Sequence, residues 1–193
     1  MTGKTHMAIG ITAGLAASIG QPVENQVMLV LASALGSLIP DLDHPKSKLN
    51  QKLLLFKNKF YQTLFYISIG AGSIYMYFTT ANNIYGFLGI IAFFVGISTH
   101  RSFTHSILGF LIFSSIVKLI TSKYNLYPVY SGFIMGYLSH LAADFVTVKG
   151  IKLFYPLKKS ISSPVMIKTN GMMENIIFSL LVVYSVFLMY SYI

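Results

Sequence analysis

The chain has 193 residues, of which 54% are apolar and 10% charged, with a formal net charge of +9. A soluble domain normally carries about 25% charged residues, so this composition excludes an ordinary water-soluble globule, and a mean hydropathy of +0.67 agrees. There is no cysteine, which excludes disulfides and thiolate metal ligands.

Seven helical spans are predicted in chain order, at 6–20, 26–40, 61–79, 84–99, 104–121, 128–146 and 174–192, in a single domain covering 1–193. The first two are weak, because 26–40 is short for a hydrocarbon core of ~30 Å and 6–20 is rich in Gly and Ala. They are expected to pack inside the bundle, where small residues let helices approach closely. The N-terminus has no basic stretch followed by a cleavage site and does not read as a removable signal. Residues 60–99 carry no charge over forty positions, which suits two crossings hinged at Thr79-Thr80-Ala81-Asn82-Asn83. Further charge-free runs cover 102–117, 124–143 and 175–193. The expected fold class is an all-α polytopic membrane helix bundle of about seven spans.

Twelve of the 14 basic residues fall on one side of that arrangement: Lys4, the five lysines between 46 and 59, Arg101, and the five lysines between 149 and 168. Lys118 and Lys123 fall on the other. An excess of Lys and Arg marks the cytoplasmic side, so the N-terminus is predicted inside and the C-terminus outside. Orientation and attraction to anionic lipid account for the positive charge, and no nucleic-acid partner is expected. No heptad or other signature speaks to oligomeric state.

All three aspartates and all five histidines lie in four short clusters, at Gly3–His6, Pro40–His44, His100–His105 and His140–Asp144. The predicted topology puts every cluster at a cytoplasmic helix end. Carboxylates and imidazoles are ligands of a hard-to-borderline divalent metal, and in an apolar chain they are expensive unless paired or binding something. His140 and Asp144, four apart, share a helical face, which suits ligands but also a plain hydrogen-bonded pair. Asp41 and Asp43, two apart after Pro40, are expected in an extended turn where both face one way and share a cation. His100 and His105 can meet only across a turn, which Ser102 or Thr104 supplies as N-cap of the next helix. Arg101 then stands at a helix N-terminus, suited to a phosphate or carboxylate. His6 alone reads as an interfacial histidine and Glu174 as an acid at a helix N-terminus.

Taken in order, Gly3-Lys4-Thr5-His6, Ile39-Pro40-Asp41-Leu42-Asp43-His44-Pro45-Lys46-Ser47, His100-Arg101-Ser102-Phe103-Thr104-His105-Ser106 and Gly136-Tyr137-Leu138-Ser139-His140-Leu141-Ala142-Ala143-Asp144 resemble the YdjM-like bacterial family. That family is described as LexA-regulated (SOS-response), inner-membrane, metal-dependent hydrolases. The resemblance continues through Gly150–Leu157 to Thr169–Glu174 and so spans nearly the whole chain. It implies a multi-pass protein of the bacterial cytoplasmic membrane and relatedness to zinc-dependent phospholipases.

The chemistry that would follow uses eight candidate ligands, His6, Asp41, Asp43, His44, His100, His105, His140 and Asp144. They exceed what one tetrahedral zinc needs and suit one or two ions, zinc first and manganese second, bridged by Asp41 or Asp43. The expected reaction is attack of an activated water on an ester or phosphoester of a membrane phospholipid at the cytoplasmic face. Arg101, Lys46 and Lys48 are expected to hold the phosphate, and Glu174 to accept the proton. The lysine-rich stretch 46–59 is expected to lie along the anionic leaflet. Two other classes compete. A divalent-cation transporter would use the same groups, although it should carry polar residues through the midplane. A structural or regulatory protein would use the metal only to tie helices together.

Overall fold

Capping chemistry sets several helix boundaries in the computed structural model, which describes residues 1–190. Helix α1 runs Gly3–Ser18 and α2 runs Val23–Gly36, ending ahead of Pro40, which opens a 3-10 turn over Pro40–Asp43. After the short α3, Asn50–Leu53, the Asn58 side chain accepts from the Tyr61 N–H at 2.9 Å and starts α4, Lys59–Thr80. Ala81, at φ 53°, turns the chain, and the Asn82 side chain caps α5, Asn83–Ile97. A second 3-10 turn, Phe103–His105, precedes α6, Ile107–Lys123. Helices α7, Tyr127–Phe145, and α8, Met172–Tyr190, complete the described chain. Between them the loop makes two isolated bridges, Thr147 with Ile167 and Ile151 with Ile161.

Helices α1, α2 and α7 form the centre; α8 packs on α1, α6 on α7, and α4 pairs with α5, which joins the rest through α6 and the two 3-10 turns. The central contacts are backbone to backbone. A Cβ on Gly136 of α7 would lie 2.0 Å from the Ser33 carbonyl oxygen of α2. A Cβ on Gly10 of α1 would lie 2.7 Å from that same oxygen, and Ser33 Oγ donates to the Gly10 carbonyl at 2.7 Å. Only glycine allows this approach. The close packing of the first two predicted spans is therefore present, with one correction. α2 buries a single face, and Val23, Val27, Leu31 and Leu35 stand exposed on another.

Each of the seven predicted spans falls on one long helix, with residues 191 and 192 of the last outside the described residues. By length and composition, Val23–Asp43 and Met172–Tyr190 are long and apolar enough to cross a membrane, and Asn83–Ile97 is a shorter apolar helix. The physical reason is plain for α1, whose 16 residues span ~24 Å and include several Gly and Thr. The fold is all-helical, but seven crossings do not follow from helix length and composition.

The distribution of side chains is nearly inverted. Thr5, His6, Ser33, Gln62, His105, His140 and Glu174 are buried, whereas Phe60, Phe78, Leu111, Leu180, Val183 and Phe187 are exposed.

Candidate metal centre

Pro40 ends the α-helical path of α2, since proline cannot donate to the preceding turn. The resulting 3-10 turn carries Asp41 and Asp43. In a 3-10 turn of three residues per turn, positions two apart diverge by ~120°, so the expected shared face of Asp41 and Asp43 is not formed. Asp41 faces His105 and His140, at 3.7 and 3.8 Å from their Nε2 atoms. Asp43 faces the other way. Its Oδ1 lies 2.8 Å from His100 Nδ1, and its Oδ2 accepts from the Arg101 N–H at 3.0 Å and Thr104 Oγ1 at 2.7 Å.

The second 3-10 turn brings His100 and His105 together, as the sequence required, with Arg101 in the left-handed region at φ 63°. The cap is Ser106, whose side chain accepts from the Gly109 N–H at 3.0 Å, and not Ser102 or Thr104. Thr104 is used elsewhere: its hydroxyl reaches Asp43 and its carbonyl accepts from Tyr137 Oη at 2.6 Å.

His140 and Asp144 do share a face of α7. His140 Nδ1 lies 2.7 Å from the Ser37 carbonyl oxygen, so Nδ1 carries the proton and Nε2 presents a lone pair. His105 Nδ1 sits 3.0 Å from Thr104 Oγ1 and 3.4 Å from Asp43 Oδ2, while its Nε2 lies 3.5 Å from Asp144 Oδ2. His105 Nε2 and His140 Nε2 are 3.0 Å apart. Three imidazoles, of His100, His105 and His140, thus have Nδ1 held by a carbonyl, hydroxyl or carboxylate, the outer-layer support that orients metal-binding histidines. Two facing lone pairs repel unless a proton or a cation lies between them.

His6, from the first turn of α1, stacks on His140 with ring centroids 3.7 Å apart and places Nε2 3.2 Å from Asp144 Oδ1. Both of its ring nitrogens are buried and neither makes a hydrogen bond of good geometry. Asp144 also pairs with Arg101 Nη2 at 3.0 Å and with the Met1 amino group. Six of the eight expected ligands form two groups, His6–His140–Asp144 and Asp41–His100–His105, each with its ligand atoms within 4.8 Å of one another. The buried His6–His140–Asp144 group and the more open Asp41–His100–His105 group can each hold a metal ion, and the His6 nitrogens, which make no hydrogen bond, and the close pair of Nε2 atoms fit one. Asp43 and His44 belong to neither group. His44 Nδ1 accepts from the Lys46 N–H at 3.2 Å. Burial, and the His100 imidazole beside it, push the His44 imidazole below its ordinary value.

The expected phosphate holders separate. Lys46 and Lys48 line a cavity of about 440 Å³ together with Asp41, His44 and His100. Arg101 does not line it; its guanidinium bonds Asp144, Thr147 Oγ1 at 2.8 Å and the Gly150 carbonyl at 3.1 Å. Glu174 is fully buried, and its carboxylate accepts from the Thr2 N–H at 2.6 Å, Thr5 Oγ1 at 2.7 Å and the Asn170 N–H at 2.6 Å. The stretch 46–59 is tied inward at two points. Asn50 donates to the carbonyls of Leu42 and His44 and accepts from Tyr66 Oη, while Lys59 Nζ reaches the Gly96 and Ser98 carbonyls at the end of α5. Sequence reasoning missed Lys4, which lines the same cavity; its place two residues before His6 was the available signal. It also missed Thr104, Tyr137 and Asn50, whose roles depend on distant carbonyls and carboxylates.

Over 190 residues the chain is 28% identical to the "Uncharacterized protein YvsG" of Bacillus subtilis (strain 168), covering 98% of this chain and 95% of that one. Over 199 residues it is 27% identical to the "Inner membrane protein YdjM" of Escherichia coli (strain K12), covering 99% of this chain and 84% of that one. No solved structure matches. The family model described as YdjM inner membrane protein matches residues 1–193 from end to end, and the chain belongs to that family.

Proposed function

We propose that the chain is a multi-pass membrane hydrolase of the bacterial inner membrane, using one or two divalent ions, zinc first, to cleave an ester or phosphoester of a phospholipid at the cytoplasmic face. One observation carries this reading. The Nε2 atoms of His105 and His140, 3.0 Å apart, converge with Asp41 and Asp144 beside a lysine-rimmed cavity. Seven crossings are supported by the seven long helices, by the lysine asymmetry and by the apolar residues on the outer faces.

His6, His140, Asp144, Asp41, His100 and His105 would hold the metal. When bound, such an ion lowers the pKa of a water and polarises a phosphoryl or acyl oxygen. The chain's own groups do the rest. Lys4, Lys46 and Lys48 attract and seat the anionic headgroup. With Nδ1 accepting from Lys46, neutral His44 offers Nε2–H to the cavity as a donor. The water oxygen bonds to phosphorus or acyl carbon, the ester bond to the alcohol breaks, and Asp41 relays the water's proton to the leaving oxygen. Glu174 receives no part in this scheme, because three donors already occupy its carboxylate and hold the start of α1. Arg101 likewise acts on Asp144 rather than on substrate.

The helix-tying alternative draws on one feature: Asp144 links α1, α7 and the Arg101 turn through His6 and Arg101. The discriminating experiment loads purified protein with zinc or manganese and assays phospholipid and para-nitrophenyl phosphoester turnover beside His140→Ala. Turnover that is lost with the metal supports hydrolysis. A metal-loaded, stable protein that turns over neither class supports the tie.

A further inference from the structure

A second cavity, of about 380 Å³, lies between α1 and α8. Met7 and Ile11 line it on one side, and Phe178, Val182 and Met189 on the other, with Lys4 and Lys48 at its mouth. Those two lysines also line the polar cavity that holds Asp41, His44 and His100. An apolar groove and an acid–imidazole pocket therefore meet at one pair of ammonium groups. The placement of the lysines is specific. Lys4 Nζ stands 5.2 Å over the Phe178 ring, at the top of the groove. Lys48 packs against Gly3, where a Cβ would lie 3.0 Å from Lys48 Cγ.

The groove is held in shape at two levels. Glu174 of α8 grips Thr2 and Thr5 at the start of α1, and Thr12 Oγ1 meets Ser185 Oγ at 2.7 Å deeper in the pair. From Phe178 to Met189 the helix descends ~16 Å, close to half of a hydrocarbon core of ~30 Å. A groove of that depth, apolar but for Ser185, whose hydroxyl is paired with Thr12, and cationic at its mouth, matches an acyl chain below an anionic headgroup.

We propose that the α1–α8 groove seats one acyl chain of an anionic phospholipid, and that Lys4 and Lys48 hold its phosphate at the entrance to the histidine–aspartate pocket. This rests on the hydrolase reading for what happens to the headgroup, but the seating stands on the groove and the lysines. Neutral lipid lacks the charge that the mouth selects, and free inorganic phosphate lacks the chain.

The test uses full-length protein in phosphatidylcholine nanodiscs with a palmitoyl lysophosphatidic acid carrying a diazirine near the chain end. Adducts are expected on Ile11, Val182 or Met189. Groove-filling Val182→Trp, at an exposed position, is expected to lower labelling by about tenfold, the loss of ~1.4 kcal/mol of binding. Lys48→Ala is expected to lower it by about fivefold. Leu111→Trp, on the exposed face of α6, should leave it unchanged. Excess palmitoyl phosphate should compete, whereas inorganic phosphate and monopalmitoylglycerol should not. Retained metal content checks that Val182→Trp is folded, with Val186→Trp as the second groove-filling variant.

Labelling spread evenly over α4, α5 and α6, or unaffected by both tryptophans, overturns the proposal. Para-nitrophenyl phosphoester turnover without groove labelling would sink the groove and spare the hydrolase. Specific labelling with no turnover of any phosphoester would do the reverse.

Discussion

The α1–α2–α7 centre and the α4–α5 hairpin are both made of helices without charge in their interiors, yet they are built on different rules. At the centre, backbone touches backbone through Gly10 and Gly136, and the polar groups of three helix ends are locked to carbonyls and carboxylates. In the hairpin, a Cβ on Gly72 of α4 would meet nothing within 4 Å, and Phe78, Tyr75 and Phe87 are exposed. The centre is fixed to within a methyl group, and that packing holds the buried His6, His140 and Asp144 side chains in place. The hairpin has one close approach, Gly70 against Gly89, where a Cβ on either would lie 3.0–3.1 Å from the other's carbonyl oxygen; away from it, the hairpin needs only to be apolar.

The comparison is sharpest at the glycines. Gly136→Ala is expected to destabilise the protein by about 3 kcal/mol or more, since the new methyl meets the backbone of Ser33 and α2 must move. Denaturant or thermal unfolding in detergent checks this, and a near-neutral result would break the account of the centre. His140→Ala is next. It removes a ligand atom of the His6–His140–Asp144 group, 3.0 Å from His105 of the other group, and is expected to weaken metal binding by more than about 100-fold, measured by competition with a chelator. Asp43→Asn should do less. Asp43 orients His100 and His105 rather than joining either ligand group, so a loss of about 10–100-fold in metal affinity is expected. An effect equal to that of His140→Ala would restore Asp43 as a direct ligand. The smallest effect belongs to the hairpin: Gly72→Ala should change stability by no more than about 1 kcal/mol, in the stabilising direction.

Much of this was legible in the chain. Charge-free runs placed the last five long helices within a few residues, and the lysine asymmetry together with the four clusters pointed to one polar layer. Asp41, His105, His140 and Asp144 do meet, although they come from distant parts of the sequence. What was not legible depended on turn geometry and on partners far along the chain. A proline two residues before Leu42 reads equally well as an extended turn or a 3-10 turn, and only the latter turns Asp41 toward His105 and His140 and Asp43 toward His100. Glu174 looks like a free acid at a helix start until Thr2, Thr5 and Asn170 are seen around it. Arg101 looks like a phosphate holder until Asp144 and the Gly150 carbonyl occupy its guanidinium.

The most direct test of the central claim is elemental analysis of detergent-purified protein, wild type beside His140→Ala and Asp43→Asn. About one or two zinc or manganese ions per chain are predicted in the wild type, lost in His140→Ala and reduced in Asp43→Asn. A well-folded wild type that binds no divalent metal, even when supplied with it, would contradict the account and leave the histidines and aspartates as a buried polar network.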